Sequence, residues 1–295
     1  MALTLLHAVV SGILDGGAYA LMAVGLTLIF GVLDIINVAQ GVMVVLAAYL
    51  SYVLSVHLHL DLFLGLFITV PTMFVLGIII ERAFIRPLKG RDRTSMSLLA
   101  SYSVAIIIEG VLYMIFGPNY VQLTASYVNS GFKFANFYIP WMGVYGLVLA
   151  IVLVLGLYWL LYRTKFGRSV RATMQDRTAA LLVGINVSRV AMVTYGIGIA
   201  ATAVGGMIFG ASPIAGGFNP NTGYDLISRL LAVIILGGLG SIGGALFASF
   251  LMLTIEDIVV IWAPTWSQLV FYIALVLVLT FRPQGLFGKK AVRAQ

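Results

Sequence analysis

Four acidic residues stand in apolar sequence: Asp15, Glu109 and the adjacent pair Glu256 and Asp257. A carboxylate in such surroundings is costly unless it meets a partner or a wet cavity, so each is a candidate for binding or for handling charge. Glu109 falls midway along the apolar stretch Ser97 to Phe116. It reads either as part of a solute pathway or as a hydrogen-bonded packing acid. Glu256 and Asp257 precede Trp262-Ala263-Pro264, which points to an interfacial position rather than a buried one. Asn37, Gln40 and Gly41 lie at a polar break, where the amides either meet a solute or cap helix ends. A second break, Gly237-Gly238-Leu239-Gly240-Ser241-Ile242-Gly243-Gly244, frees backbone groups that protein or water must satisfy. The candidate pathway residues are therefore Asn37, Gln40, Gly41, Glu109, Gly238, Gly240 and Ser241.

These groups do not assemble into an enzyme. Tyr224-Asp225 with Gly238-Leu239-Gly240 faintly resembles intramembrane aspartyl proteases, but Ser241 stands where the second Asp is required. A serine nucleophile at 241 would need a His base, and the three His residues, 7, 57 and 59, all fall in the first fifth of the chain. Cysteine is absent, which removes thiol chemistry, disulfides and Cys-based metal sites. There is no Gly-rich loop ending in Lys that would cradle ATP. The expectation is a non-enzymatic chain with no cofactor.

The elements that position these residues are apolar to an extent that soluble domains do not reach. The 295 residues are 61% hydrophobic and 9% charged, with a mean hydropathy of +1.08. Soluble domains carry about 25% charged residues. A polytopic helical membrane protein follows, and the net charge of +7 belongs to loops beside anionic lipid rather than to a nucleic-acid surface. Fifteen of the 17 Lys and Arg fall in three clusters, at 82–93, 163–189 and 282–293, leaving only Lys133 and Arg229 elsewhere. Lys and Arg concentrate in cytoplasmic loops, so the clusters fix three points of the chain on one side of a bilayer. The first 81 residues contain neither Lys nor Arg, so the first apolar stretch reads as a permanent span rather than a cleaved signal.

Apolar stretches run from Leu5 to Leu33, interrupted early by Asp15-Gly16-Gly17, and then over Val42–Val56, Leu62–Ile80, Ser97–Phe116, Trp141–Tyr162 and Val190–Ala211. The run from Leu226 to Ile261 would be about 54 Å of helix, too long for one ordinary span, so it crosses and returns or dips at its glycines. Leu269 to Phe281 closes the set. The sequence thus predicts an all-α polytopic bundle of about eight to nine membrane segments. It forms one domain over residues 1–295, with the N-terminus outside and the C-terminus inside. Paired interruptions near its two ends are the pattern expected of a transporter binding site. Gly12 with Gly16, Gly206 with Gly210, and Gly240 with Gly244 have the spacing that lets helices approach closely.

The basic segment 163–189 interleaves its six cations with Ala172, Met174, Ala179, Ala180, Leu181, Leu182, Val183 and Ile185. That pattern predicts one short amphipathic helix whose apolar face requires lipid or another protein. Its stretch Thr178-Ala179-Ala180-Leu181-Leu182-Val183-Gly184 resembles the Ala-Ala-x-x-x-Gly core of the coupling loop of bacterial ABC importer permeases, with Thr178 where that motif has Glu. The resemblance extends along the chain. Tyr19-Ala20-Leu21-Met22-Ala23-Val24-Gly25-Leu26, Ile36-Asn37-Val38-Ala39-Gln40-Gly41 and Glu81-Arg82-Ala83-Phe84-Ile85-Arg86-Pro87-Leu88 are similar to branched-chain amino acid permeases. So are Gly167-Arg168-Ser169-Val170-Arg171-Ala172, Asp176, Gly184-Ile185-Asn186, the glycine break and Arg282-Pro283-Gln284-Gly285-Leu286-Phe287-Gly288. Gln40 departs from the His common there, which argues against a titrating role at that position.

The resemblance implies a permease subunit of the bacterial inner membrane, in contact with membrane lipid. Its partners would be a second, homologous permease, two cytosolic ATPases and a periplasmic substrate-binding protein. Arg171, Ala172, Asp176, Ala179, Ala180 and Gly184 would couple to an ATPase, and the solutes would be leucine, isoleucine and valine. Urea, short amides or other amino acids on the same architecture, and an ion-coupled secondary transporter, are the competing readings. No nucleic acid is implied.

Overall fold

The computed structural model describes residues 2–88, 93–128, 130–134, 137–212, 216–282 and 284–288. Five basic positions of the first and third clusters, Lys89, Arg91, Lys289, Lys290 and Arg293, lie outside them, as does Pro283. Among the described residues seven helices are long and apolar enough to cross a membrane. They are α1 (Ala2–Leu33), α2 (Gln40–His57), α3 (Leu62–Ile80), α4 (Arg93–Phe116), α5 (Trp141–Arg163), α8 (Val187–Ala211) and α10 (Ile242–Trp262). Two shorter helices, α9 (Thr222–Gly237) and α11 (Leu269–Phe281), complete the expected set of segments. Between α5 and α8 lie α6 (Lys165–Gln175) and α7 (Arg177–Leu182). The one ribbon pairs β1 (Gly131–Phe134) with β2 (Phe137–Pro140), antiparallel. The chain is a multi-pass membrane protein.

The helix α1 is the most buried of the seven long spans, and it packs against α5, α8 and α10. It runs unbroken through Asp15-Gly16-Gly17, where the sequence suggested an interruption. Those glycines serve packing instead. A Cβ on Gly12 would come within 2.4 Å of the Thr254 backbone of α10, and Gly16 lies under Phe250 of the same helix. Shape rather than hydrophobicity drives such contacts, because lipid is as apolar as the helix it would replace.

Several contacts share one end of the bundle, here called the basic end. Gly31, near the close of α1, meets Met174 of α6 and faces Gly240. At the opposite end, Asp61 caps α3 by accepting from Phe63 N at 2.9 Å, and Tyr127 donates to the same carboxylate at 2.8 Å. Burial, together with the Asp61 carboxylate, pushes the Tyr127 hydroxyl far above the usual phenol range. Phe63, Tyr127, Tyr145 and Trp141 stack in sequence there, as aromatic side chains do at a membrane–water boundary.

The segment 163–189 is two helices, not one. Asp176 adopts an extended backbone, ends α6, and caps α7 by accepting from Thr178 N at 2.7 Å and Ala179 N at 2.9 Å. The apolar face of α6 is also covered by the chain itself. Gly167, Val170 and Thr173 are buried, and Val170 packs with Leu161, Ile85, Val190 and Ala191.

The glycine break is a tight turn at the basic end. Gly238 and Gly240 have φ of +99° and +79°, which favour glycine, and Ser241 caps α10 by accepting from Gly244 N at 3.1 Å. The following tail satisfies the freed carbonyls: Leu286 N donates to Leu236 O at 2.8 Å and Phe287 N to Gly237 O at 3.2 Å. A Cβ at Gly238 would strike the Gly288 backbone at 2.4 Å. The two glycine-bearing motifs therefore explain one another.

Candidate functional site

After α1 the chain turns at Asp34, whose φ is +55°, and starts α2 only at Gln40, inside the bundle. Thr94 donates to Asp34 O at 3.3 Å, and Ser101, two turns further along α4, accepts from Val38 N at 3.1 Å. Gln40 reaches Gly198 O, near the middle of α8, at 3.5 Å. Asn37 donates to Gln40 Oε1 at 3.0 Å, and its own Oδ1 is buried without a partner among the described residues. Gly41 is where α2 meets the first turn of α9, because a Cβ there would lie 2.0 Å from Gly223 O. Two helix starts thus meet inside the bundle, and both present positive dipole ends.

The second internal start is α9 and not the glycine break. Its signal was the run Asn219-Pro220-Asn221-Thr222-Gly223, in which Asn219 Oδ1 accepts from Thr222 N at 3.1 Å and Thr222 Oγ1 accepts from Asn219 N at 3.0 Å. The structure brings Asn37, Gln40 and Gly41 together here. It places Gly238, Gly240 and Ser241 separately, at the basic end.

The first turns of α9 carry polar groups on two sides. Tyr224 donates its hydroxyl to Glu109 Oε2 of α4, so Glu109 is hydrogen-bonded and half-buried. Tyr102, exposed on α4, has its ring 6.4 Å from that of Tyr224. On the other side Asp225 and Arg229 line a cavity of about 360 Å³ with Asp15, Tyr19, Glu256, Asp257, Gln268 and Tyr272. Arg229 Nη1 lies 3.0 Å from Glu256 Oε1 and donates to Oε2 at 3.1 Å. Its guanidinium also sits 5.3 Å from the centre of the Phe271 ring.

This corrects the reading of Glu256, which is 7% exposed and paired, not interfacial. The lone Arg229 in an apolar stretch was the signal for that pair, and Asp15 lies across the same cavity. Arg229 is committed to Glu256 and to the Tyr19 hydroxyl, so the polar groups that remain around the cavity include the carboxylates of Asp15, Asp225 and Asp257, the Gln268 amide and the Tyr272 phenol.

At the basic end, α7 is held at both ends. Asp176 caps its start, while Gly184, with φ of +83°, closes it through Ile185 N donating to Ala180 O at 3.0 Å. Ala180 is buried, so a small residue is required there. Leu181, Leu182 and Val183 are 57%, 85% and 74% exposed. Of the whole basic segment, this tip is the apolar part left without cover. Arg171, on α6, stacks over Tyr162 at 4.7 Å, and Ala172 accepts from Asp176 N at 3.1 Å.

The sequence profile of the branched-chain amino acid transport system permease component matches residues 8–279. The chain belongs to that family. The high-affinity branched-chain amino acid transport system permease protein BraD of Pseudomonas aeruginosa is 28% identical, over 97% of this chain and 97% of its own length. The corresponding protein LivH of Escherichia coli is 27% identical, over 96% and 95%. The autoinducer 2 import system permease protein LsrC of Yersinia pseudotuberculosis is 34% identical over a shorter match, 40% of this chain and 35% of its own length. As a branched-chain-type permease the chain is a transport subunit rather than an enzyme.

Proposed function

We propose that this chain is the permease of an ATP-binding cassette importer that passes leucine, isoleucine and valine across the inner membrane. The family match over residues 8–279 carries this reading. The 163–189 segment supports it: a self-covered helix, α6, presents a capped apolar tip, α7, of the kind a protein groove would accept. In this reading the basic end faces the cytoplasm, the N-terminus lies outside and the C-terminus inside, and residues 1–295 act as one domain. Two ATPases hydrolyse ATP and dock on the tip, where Asp176, Ala179, Ala180 and Gly184 set its shape and Arg171 and Ala172 fix α6. A second, homologous permease completes the membrane unit, and a periplasmic binding protein delivers solute to the outer end.

The pathway runs past Asn37, Gln40, Gly41 and Glu109, with Gly238, Gly240 and Ser241 forming the turn at its inner end. The meeting helix starts suit the carboxylate of an amino acid, and Glu109 suits its ammonium group. Purification of the tagged chain from its native operon in mild detergent tests the assignment. Two ATPases and a second permease are expected, with ATP-dependent leucine, isoleucine and valine uptake after reconstitution. A folded chain recovered alone would overturn it, and uptake of urea in place of the three amino acids would overturn the substrate assignment.

A further inference from the structure

The motif that opens with Glu81-Arg82 has no part in the pathway or the tip, yet it holds a highly buried charge. Glu81 ends α3 and begins a five-residue π-helical turn, Glu81–Ile85, closed by Arg86 N donating to Glu81 O at 2.7 Å. Such turns are rare and recur where a helix must yield locally. The residue is 2% exposed, and its Oε2 is buried without a hydrogen-bond partner among the described residues. The Tyr195 hydroxyl of α8, equally buried, also lacks a partner there and lies within electrostatic range of the carboxylate.

The charged groups acting on Glu81 are Arg86, Arg93, Arg177 and Arg82. None closes on it within salt-bridge distance, since the described ion pair of this chain is Arg229 with Glu256. Arg93, which opens α4, has a buried Nε that is likewise unpartnered. The carboxylate therefore has four arginines within electrostatic range and is bonded to none of them. A buried charge in that condition is costly, and a direct guanidinium contact would repay much of the cost.

We infer that Glu81 is the fixed half of a charge latch, and that Arg177, at the head of α7, is the moving half that closes on it when the tip is pressed toward the membrane. Arg82 and Arg86 share the turn of Glu81 and cannot register motion against it. Arg93 belongs to a spanning helix. Arg177 alone of the four rides on a short helix outside the spans, between Asp176 and Gly184, and within two turns of the exposed Leu181, Leu182 and Val183. A push on the tip thus reaches α3 and α8 through one ion pair. The open latch seen here is the state in which that push is absent.

The latch rests on the importer reading, whose own failure would show earlier, as the absence of ATPases from the purified complex. The chain contains no cysteine, so a Glu81→Cys, Arg177→Cys pair is unambiguous within it. In the complete transporter in liposomes, a short bifunctional thiol reagent is applied at rest and after trapping with ATP and vanadate. The yield of the intrachain link is expected to rise about fivefold or more on trapping. Equal yields, or a fall, would overturn the latch. Should the pair fail to accumulate, Glu81→Gln and Glu81→Asp decide it. The first is expected to keep basal ATP hydrolysis and lose about tenfold in transport per ATP, while the second keeps both. Transport by Glu81→Gln at the unmodified rate would overturn the proposal.

Discussion

Glu256 and Glu81 are both buried glutamates, and they live under opposite conditions. Glu256 lies on the wall of a cavity and holds Arg229 through two contacts of 3.0 and 3.1 Å. Glu81 sits at the basic end, within electrostatic range of four arginines and paired with none. A closed pair makes the helices that carry it, here α9 and α10, one mechanical unit. An open one leaves its neighbours free to take a second position. The comparison locates stiffness around the cavity and compliance beside the tip, which is where an external partner would have to act.

The largest effect should come from breaking the closed pair. Arg229→Met leaves Glu256 buried and alone, and is expected to cost about 3–5 kcal/mol of stability. Arg229→Met combined with Glu256→Met should recover most of that loss. Thermal unfolding in detergent measures both, and equal destabilisation of the single and double variants would show that the pair does not lock the helices. An intermediate effect belongs to the tip, beyond the compliant region. Leu182→Asp places a charge on a residue 85% exposed, so unfolding should not change, while association with the ATPases weakens by about 2 kcal/mol, roughly thirtyfold, read by titration of the purified partners.

The smallest free-energy change of the three is expected at the open site. Glu81→Gln removes a buried, unbonded charge, and unfolding should move by under about 1 kcal/mol, in the stabilising direction. Destabilisation as large as that of Arg229→Met would mean that Glu81 is bonded at rest and that the contrast between the two glutamates is false.

Much of this arrangement could be read from the residues. Long apolar stretches, each punctuated by polar turns, located the seven long apolar helices found among the described residues, because burial in lipid leaves the backbone few options other than helix. The Asn37–Gly41 interruption was legible for the same reason: amides and a glycine in an apolar context announce a helix end. The partner of that interruption was placed at Gly237–Gly244 because clustered glycines resemble a break, whereas the internal start is at Thr222, marked by an Asn-to-Thr cap that looks like an ordinary loop. The subdivision of 163–189 turned on Asp176, whose side chain offers a bond to two backbone amides that a continuing helix would have to forgo. Proximity to Trp262 suggests an interfacial Glu256, whereas its partner inside the bundle is the lone Arg229. Pairings across 27 residues depend on how α9 and α10 fold back, which no local pattern reveals. The side chain of Lys133, outside the three basic clusters, lies outside the described residues.

The tail that bonds to Leu236 and Gly237 also sets an order of events. Those two carbonyls find their donors about fifty residues further along the chain, at Leu286 and Phe287. During synthesis the turn between α9 and α10 must therefore enter the bilayer before the residues that seal it have been made. The hairpin is inserted unsealed, with two backbone acceptors dependent on water, and this part of the protein becomes watertight only when the later-made segment folds back across it.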